Sequence, residues 1–380
     1  MPEPQLLGER ALNRALLERQ MLLRRADTSA LAAIEHLAGM QAQAPNAPYV
    51  GLWTRLAGFR TDQLAALLAE RAVVRTHLMR NTIHLVTAYD AVAMRGLMQP
   101  FLARSYASSP FARNLAGVDV PALLDAGRAL LRDRPRTRDE LGTLLERQWP
   151  GRDPRSLAQA ITHLVPTVQV PPRGIWGSTG QAAYATTDAW LGGLPASSIS
   201  PDELVLRYLA AFGPATVRDV QAWCGLTRLR EVTERLRPQL RTFRDADGAK
   251  LFDLPDAPRP DPDVPAPPRF LPEYDNVLLS HADRARIIPG RRAVPLPPGV
   301  GGATGTLLID GFWRATWKIK RPHRGAVTLR VEPFTELSVT QVAAVNAEGT
   351  GLLAFVAPDA EASEIQLAAP NLREPHPKTP

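Results

Sequence analysis

Cysteine is almost missing: Cys224 stands alone in a chain of 380 residues. That excludes a disulfide scaffold and any zinc site built on cysteines, and it fits a reducing compartment, so a cytoplasmic protein is expected. Lysine is nearly as scarce. Of 45 basic residues only Lys250, Lys318, Lys320 and Lys378 are lysines, which leaves 41 arginines and no lysine in residues 1–249. No stretch approaches the ~20 uninterrupted apolar residues of a membrane span. Residues 1–10 carry Glu, Gln and Arg instead of the charged-then-apolar pattern of an export signal. His36, His77, His84, His163, His281, His323 and His376 pair with no cysteine or carboxylate at ligand spacing, so neither a metal nor another cofactor is expected. The fingerprints of a nucleophile elbow, a Walker A loop and a dinucleotide-binding turn are absent too, which leaves hydrolase, NTPase and dehydrogenase readings without an anchor.

What is present begins with length and charge. A chain this long exceeds what one core usually supports, so several domains are expected. The formal charge of +7 rests on arginine. Arginine is the bidentate ligand of phosphate and base edges, but an Ala-, Pro- and Arg-rich composition also fits the drift of a GC-rich genome, and composition alone leaves both readings open.

The texture changes at a proline-rich linker, residues 257–268. Before it, helical periodicity marks residues 11–23, 29–37, 61–70, 121–132, 138–148, 155–165, 203–211 and 228–236. After it come short β-branched segments at 276–279, 305–310, 315–319, 327–331 and 352–356. Within the helical region a single pattern recurs, two or three short helices followed by a turn-centred extended pair, which reads as a winged helix in three tandem copies: residues 1–90, 91–198 and 199–256. The last copy is the clearest. Ser200, Pro201 and Glu203 form a helix start, Gly225 closes a second helix, and Asp247-Gly248 is a strong hairpin signal that makes the wing. Thr137 to Glu140 gives the middle copy its own capping box. The expectation is an α+β chain, three winged-helix motifs followed by a β-barrel-like domain over residues 269–370 and a tail over 371–380. Residues 296–302 read as a loop.

The segment after the second helix carries the chemistry. Gly39 closes that helix, and Pro45 and Pro48 are expected to hold the chain extended. On an extended chain Gln41 and Gln43, at i and i+2, share a face, whereas on a helix they would diverge. Two surface amides before a proline turn is the plainer reading of that spacing.

Met40-Gln41-Ala42-Gln43 with Ala47-Pro48-Tyr49 and Gly51-Leu52-Trp53, then residues 75–86 (RTHLMRNTIHLV), 269–288 (RFLPEYDNVLLSHADRARII) and 308–317 (LIDGFWRATW), resemble the AlkZ-type bacterial DNA glycosylases over about residues 8–358. The resemblance implies tandem winged helices with a β-barrel-like domain, removal of N7-alkylated purines, unhooking of interstrand crosslinks in some members, and Gln41 and Gln43 as the catalytic pair. Amides are not general bases, and most glycoside hydrolysis uses two carboxylates. An N7-alkylguanine, however, already bears positive charge and leaves as a neutral base. What remains is to hold a water against the sugar C1′, a task for two convergent amide oxygens. The missing lysines argue against a Schiff-base mechanism and for a monofunctional enzyme.

Other residues are assigned by position. If 80–86 is a strand, Thr82 and His84 share a face that could meet DNA, or His84 is a core histidine satisfied by backbone. Asp275 and Asn276 line the site as DNA contacts, or merely cap the turn into Val277. Arg284, Arg286, Arg314 and Lys318 are candidate phosphate contacts, while Trp313 and Trp317 read as β-domain core. The expected partner is double-stranded DNA carrying alkylated purines, bound by a monomer with no membrane or metal, as repair or as self-resistance to a genotoxin. The competing class is a winged-helix transcription regulator with a ligand-binding β domain, which would be a symmetric dimer.

Overall fold

A computed structural model describes residues 5–192, 198–289, 304–323 and 325–370. The expected loop at 296–302 and the tail at 371–380 lie outside the described residues. The helical region starts on Glu9–Arg19, and Ser29 caps Ala30–His36 by accepting from Ala32 N. A positive φ at Gly39 (93°) then turns the chain into strand β1, Met40–Gln41.

The prolines that follow do not keep the chain extended. Residues Ala47–Trp53 are helical with Pro48 in the first turn, where a missing N–H costs nothing because that turn has no intrahelical acceptor for it. After Thr61–Ala69 come β2 (Val73–His77) and β3 (Ile83–Thr87), joined by a tight turn in which Arg80 and Asn81 both adopt positive φ. The strand expected over 80–86 therefore begins only at Ile83. A 20-residue helix, Ala88–Ala107, runs across the 90/91 boundary with Pro100 inside it.

The second unit packs Val120–Asp133, Arg138–Glu146 and Pro154–Leu164 around Leu123, Leu141, Leu145, Leu157 and Ile161. It contributes strands β4 (Arg136–Thr137), β5 (Thr167–Val170) and β6 (Ala183–Thr186). The capping box of Thr137 and Glu140 is formed. The antiparallel pairs of the first two units, β2–β3 and β5–β6, join edge to edge through β2 and β5 in one six-stranded sheet, ordered β1-β3-β2-β5-β6-β4. The third unit keeps its own hairpin. Pro201–Phe212, Val217–Cys224 and Leu229–Leu236 are followed by β7 (Arg241–Arg244) and β8 (Lys250–Asp253), turning at Gly248 with φ 80°. Ser200 with Glu203 caps the first of these helices, and Gly225, left-handed at φ 83°, ends the second.

The C-terminal region is an open sheet, not a closed barrel. Strands β9 (Arg269–Leu271), β10 (Gly305–Ile309), β11 (Phe312–Lys320), β12 (Ala326–Pro333) and β13 (Ala362–Leu367) lie in the order β13-β12-β11-β10-β9, with β13 parallel to β12. The expected strand at 352–356 is the end of an 18-residue helix, Val339–Val356. By length and composition that helix is apolar enough to cross a bilayer, but Val345, Gly349, Leu352, Leu353 and Val356 form a buried stripe at helical spacing that covers the sheet. At Gly349 a Cβ would stand 3.0 Å from both Leu329 and Ile365. Residues 276–279, also expected as a strand, form a 3₁₀ turn, Asn276–Leu278. Trp317 packs edge-on against Phe270, and Trp313 packs likewise against Phe334, both in the core.

Arginine joins these units. Buried Arg19 forms a two-point ion pair with Asp253, and Arg14 with its neighbour Arg10 reaches Asp310. The linker is strapped to the first helix through its carbonyls: Pro258 accepts from Arg19, Pro262 from Arg10 and Val264 from Arg14.

Candidate active site

The Gln41–Gln43 segment is built from both sides. Gln41 pairs with His84 across the β1–β3 ladder, and Ala42 N–H donates to the Ile83 carbonyl at 2.7 Å. Met40 and Ala42 are buried in the apolar core, so Gln41 between them leaves on the opposite face of the strand, and Gln43 follows in a bend beyond the strand's end. The Ala42 carbonyl accepts from Arg75 Nη2 at 2.8 Å, and Arg75 Nε donates to Gln169 of β5 at 3.2 Å. Arg75 is 2 % exposed, and burial, with Arg173 nearby, lowers its pKa to about 10. The loop between β5 and β6 closes over this arginine: a Cβ on Gly174 would sit 2.6 Å from Arg75 Cδ, and the Gly174 carbonyl accepts from the Tyr49 hydroxyl at 2.9 Å. The second unit thus braces the glutamine strand of the first.

The two amides differ in setting. Gln41 is buried and Gln43 exposed. Gln41 Oε1 accepts from Arg80 Nη2 at 2.7 Å, and Gln43 Oε1 accepts from Ile83 N–H at 3.3 Å. Both oxygens thus already hold one donor instead of standing free and convergent, as the mechanism drawn from the resemblance expects; one lone pair remains on each. Gln41 also lines a crevice with Met40, Gln20, Arg55, Asp275 and Asn276, with about 10 Å³ open to water centres, room for about one water molecule.

Asp275 and Asn276 therefore come to Gln41, although their polar atoms are partly committed. Asp275 forms a buried two-point ion pair with Arg55, at 2.8 and 2.9 Å, and caps the turn by accepting from Val277 N–H. Asn276 Nδ2 donates to the Gly39 carbonyl at 2.8 Å, while its buried Oδ1 has no partner. His84 lies beneath Gln41, fully buried. Its Nδ1 is 3.1 Å from the Thr82 carbonyl, and since a carbonyl only accepts, that nitrogen carries the proton. Burial and the Arg80 guanidinium push the His84 pKa down to about 3, so the ring is neutral. The Thr82 hydroxyl donates to the Met79 carbonyl at 3.1 Å and locks the turn.

The four candidate phosphate contacts separate. Arg286 is buried and donates to the Pro214 carbonyl at 2.7 Å, which turns its guanidinium inward. Arg284 is half-buried with Nε unpartnered, and it is near enough to Arg80 to help burial lower the Arg80 pKa. Arg314 is exposed beside the Phe312 ring. Lys318 lies 3.5 Å from Glu332, which Arg330 also holds. Sequence reasoning missed Arg55, Arg75 and Arg80. The turn signal was available for Arg80: Asn81 and Thr82 sit between two apolar runs, where a hairpin loop is expected. Glu273, two residues before Asp275, was also missed; burial raises its carboxyl pKa. Among the described residues no three His, Cys, Asp or Glu side chains gather in a group able to hold a metal ion.

The chain is similar to an interstrand DNA cross-link repair glycosylase of Streptomyces sahachiroi, 24 % identical in an alignment of 360 positions that covers 87 % of this chain and 92 % of that one. Its fold superposes on a solved structure, Streptomyces sahachiroi DNA glycosylase AlkZ, with a TM-score of 0.71 at 20 % identity, over 96 % of this chain and 100 % of the other. The sequence profile of the AlkZ-like DNA glycosylases matches residues 34–355, and by that span the chain belongs to the AlkZ-like DNA glycosylase family.

Proposed function

We propose that this chain is a monofunctional glycosylase for cationic N7-alkylpurine adducts in double-stranded DNA, including bulky natural-product adducts and interstrand crosslinks. The observation that carries the reading is the amide pair itself. Gln41 stands on an edge strand whose next carbonyl, that of Ala42, is held by Arg75, and it lines a crevice of about one water's volume, while Gln43 follows in the bend just beyond the strand. No ionisable base is needed there. The N7-alkylated base departs neutral, so the protein has only to place a water and tolerate oxocarbenium character at C1′. Neutral His84 adds no charge opposite that centre. The absence of lysine from residues 1–249 favours water over an amine as nucleophile. The activity named for the Streptomyces relative, interstrand cross-link repair, supports the extension to crosslinks. The enzyme acts in the cytoplasm as a monomer, with Thr82, Asn276, Arg284, Arg314 and Lys318 toward the DNA.

The test is substrate scope. Duplexes carrying a single N7-methylguanine or an N7-linked crosslink should yield free base and an alkali-labile abasic site, and a uracil duplex should not. Release of uracil at a comparable rate, or no release from any cationic adduct, overturns the reading.

A further inference from the structure

The guanidinium of Arg80 occupies an unusual place. Its backbone is left-handed, at φ 54°, within the β2–β3 turn. Its Nη1 donates to the Trp223 carbonyl at 2.8 Å, at the end of the Val217–Cys224 helix, and its Nη2 donates to Gln41 Oε1 at 2.7 Å and lies 3.5 Å from His84 Nε2. No carboxylate pairs with it among the described residues. Arg80 is half-buried, and an arginine drawn out of water normally faces an acid; this one faces an amide, a carbonyl and a neutral imidazole.

That choice of partner settles an orientation. A guanidinium only donates, so the Gln41 amide must turn its oxygen to Arg80 and its NH₂ the other way. Asn276 lines the same crevice as Gln41, and its buried Oδ1 is an acceptor without a partner. Gln41 thus brings a donor edge, and Asn276 an acceptor, to a space that fits one water.

We propose that Arg80 is a positioning residue that locks the Gln41 amide with its oxygen held and its N–H edge presented to the crevice, so that the third helical unit, through the Trp223 carbonyl, fixes the orientation of a residue in the first. The inference rests on Gln41 acting at the reaction centre. Gln41 then contributes through its N–H, and the exposed Gln43 oxygen contributes the acceptor. Hydrogen bonding to the guanidinium polarises the Gln41 amide and makes its N–H a stronger donor. The charged and titratable groups facing Arg80 are His84 on β3, Cys224 on the Val217–Cys224 helix and Arg284 in the turn beyond Leu278.

The experiment is single-turnover excision from an N7-methylguanine duplex, with DNA affinity measured in parallel, on Arg80→Met, Arg80→Lys, Gln41→Ala, Gln41→Glu and the Gln41→Ala/Arg80→Met double variant. Arg80→Met should slow excision on the order of 100-fold, leave affinity within about twofold, and add less than about twofold in the Gln41→Ala background, because both changes remove one coupled unit. Gln41→Glu keeps an acceptor for Arg80 but has no N–H, and should be as slow as Gln41→Ala. Additive losses, a wild-type rate for Arg80→Met, a loss confined to affinity, or an active Gln41→Glu each overturn the proposal. If Arg80→Met does not fold, Arg80→Lys decides. An ammonium in this half-buried site, with Arg284 nearby, titrates lower than an exposed lysine, so its excision rate should fall as pH rises from roughly 7 to 9 while wild type stays flat, and a flat profile overturns the proposal. A fast Gln41→Ala defeats the functional reading; a slow Gln41→Ala with a fast Arg80→Met defeats this inference alone.

Discussion

Removing the carboxylate of Asp275 separates its structural role from the DNA contact expected of it. Arg55 and Asp275 are 1 % and 3 % exposed at their side chains, and the guanidinium also donates to the Gly51 carbonyl and to Gln20 Oε1. Asp275→Ala leaves Arg55 buried, charged and short of its two carboxylate acceptors. Breaking a buried pair from one side costs about 3–5 kcal/mol, whereas replacing both members with apolar residues of similar size is often neutral. For a chain of this length that corresponds to a fall in melting temperature of roughly 4–6 °C. Thermal unfolding followed by circular dichroism, on wild type, Asp275→Ala and the Arg55→Met/Asp275→Leu double variant, measures it. The double variant should recover most of the loss, and DNA affinity of the folded single variant should stay near wild type. A wild-type melt for Asp275→Ala, or a double variant no more stable than the single, refutes the ion-pair argument. A stable single variant with weakened DNA binding restores Asp275 as a contact.

Three further outcomes follow from the same geometry. Gly174→Val forces a side chain into Arg75, where even a Cβ stands 2.6 Å from Cδ at φ 95°. It should slow excision several-fold by shifting the strand that carries Gln41, and wild-type kinetics contradict the bracing role. His77, His84, His163 and His281 all have pKa values lowered by burial, with His84 and His281 at about 3 and His163 at about 4. Protons therefore bind the unfolded chain first. Their contribution to stability is intact above about pH 6.5 and is lost as pH falls toward those values, by ~1.4 kcal/mol per pH unit for each histidine. Urea unfolding between roughly pH 7.5 and 5 should show that decline, less steep in His163→Gln, and a flat profile excludes it. Arg314→Ala, at an exposed position, should reduce the salt dependence of DNA affinity by about one phosphate's worth in the log–log slope; an unchanged slope places Arg314 off the DNA.

Local rules carried the helical half of the sequence a long way. The Ser200–Glu203 and Thr137–Glu140 capping boxes, the Gly225 stop and the Asp247-Gly248 hairpin are short-range chemistry, and the structure forms all of them. What local rules miss is partnership across distance. Residues 352–356 are β-branched and aromatic enough to read as a strand, yet they finish a helix because the stripe from Val345 to Val356 has a sheet to cover. Pro48 reads as a stiffener in isolation and serves as a helix start in place. The candidate site shows the same division. Gln41 and Gln43 were singled out by their spacing and the resemblance, and their role remains the proposal made above. The arginines that hold them come from three separated positions and announce themselves only when Arg55 meets Asp275, Arg75 meets Ala42, and Arg80 meets both Gln41 and Trp223. The arginine excess itself gains a third explanation beside codon drift and DNA binding, since several arginines are interior ties between units.

The central claim is that Gln41 and Gln43 place the water that cleaves the N-glycosyl bond. The direct measurement is single-turnover release of N7-methylguanine by wild type, Gln41→Ala, Gln43→Ala and the double variant, at enzyme concentrations that saturate the DNA. The account predicts intact DNA binding with excision slowed on the order of 100-fold or more in each single variant and no faster in the double. Excision at the wild-type rate by the double variant, with binding intact, would contradict it.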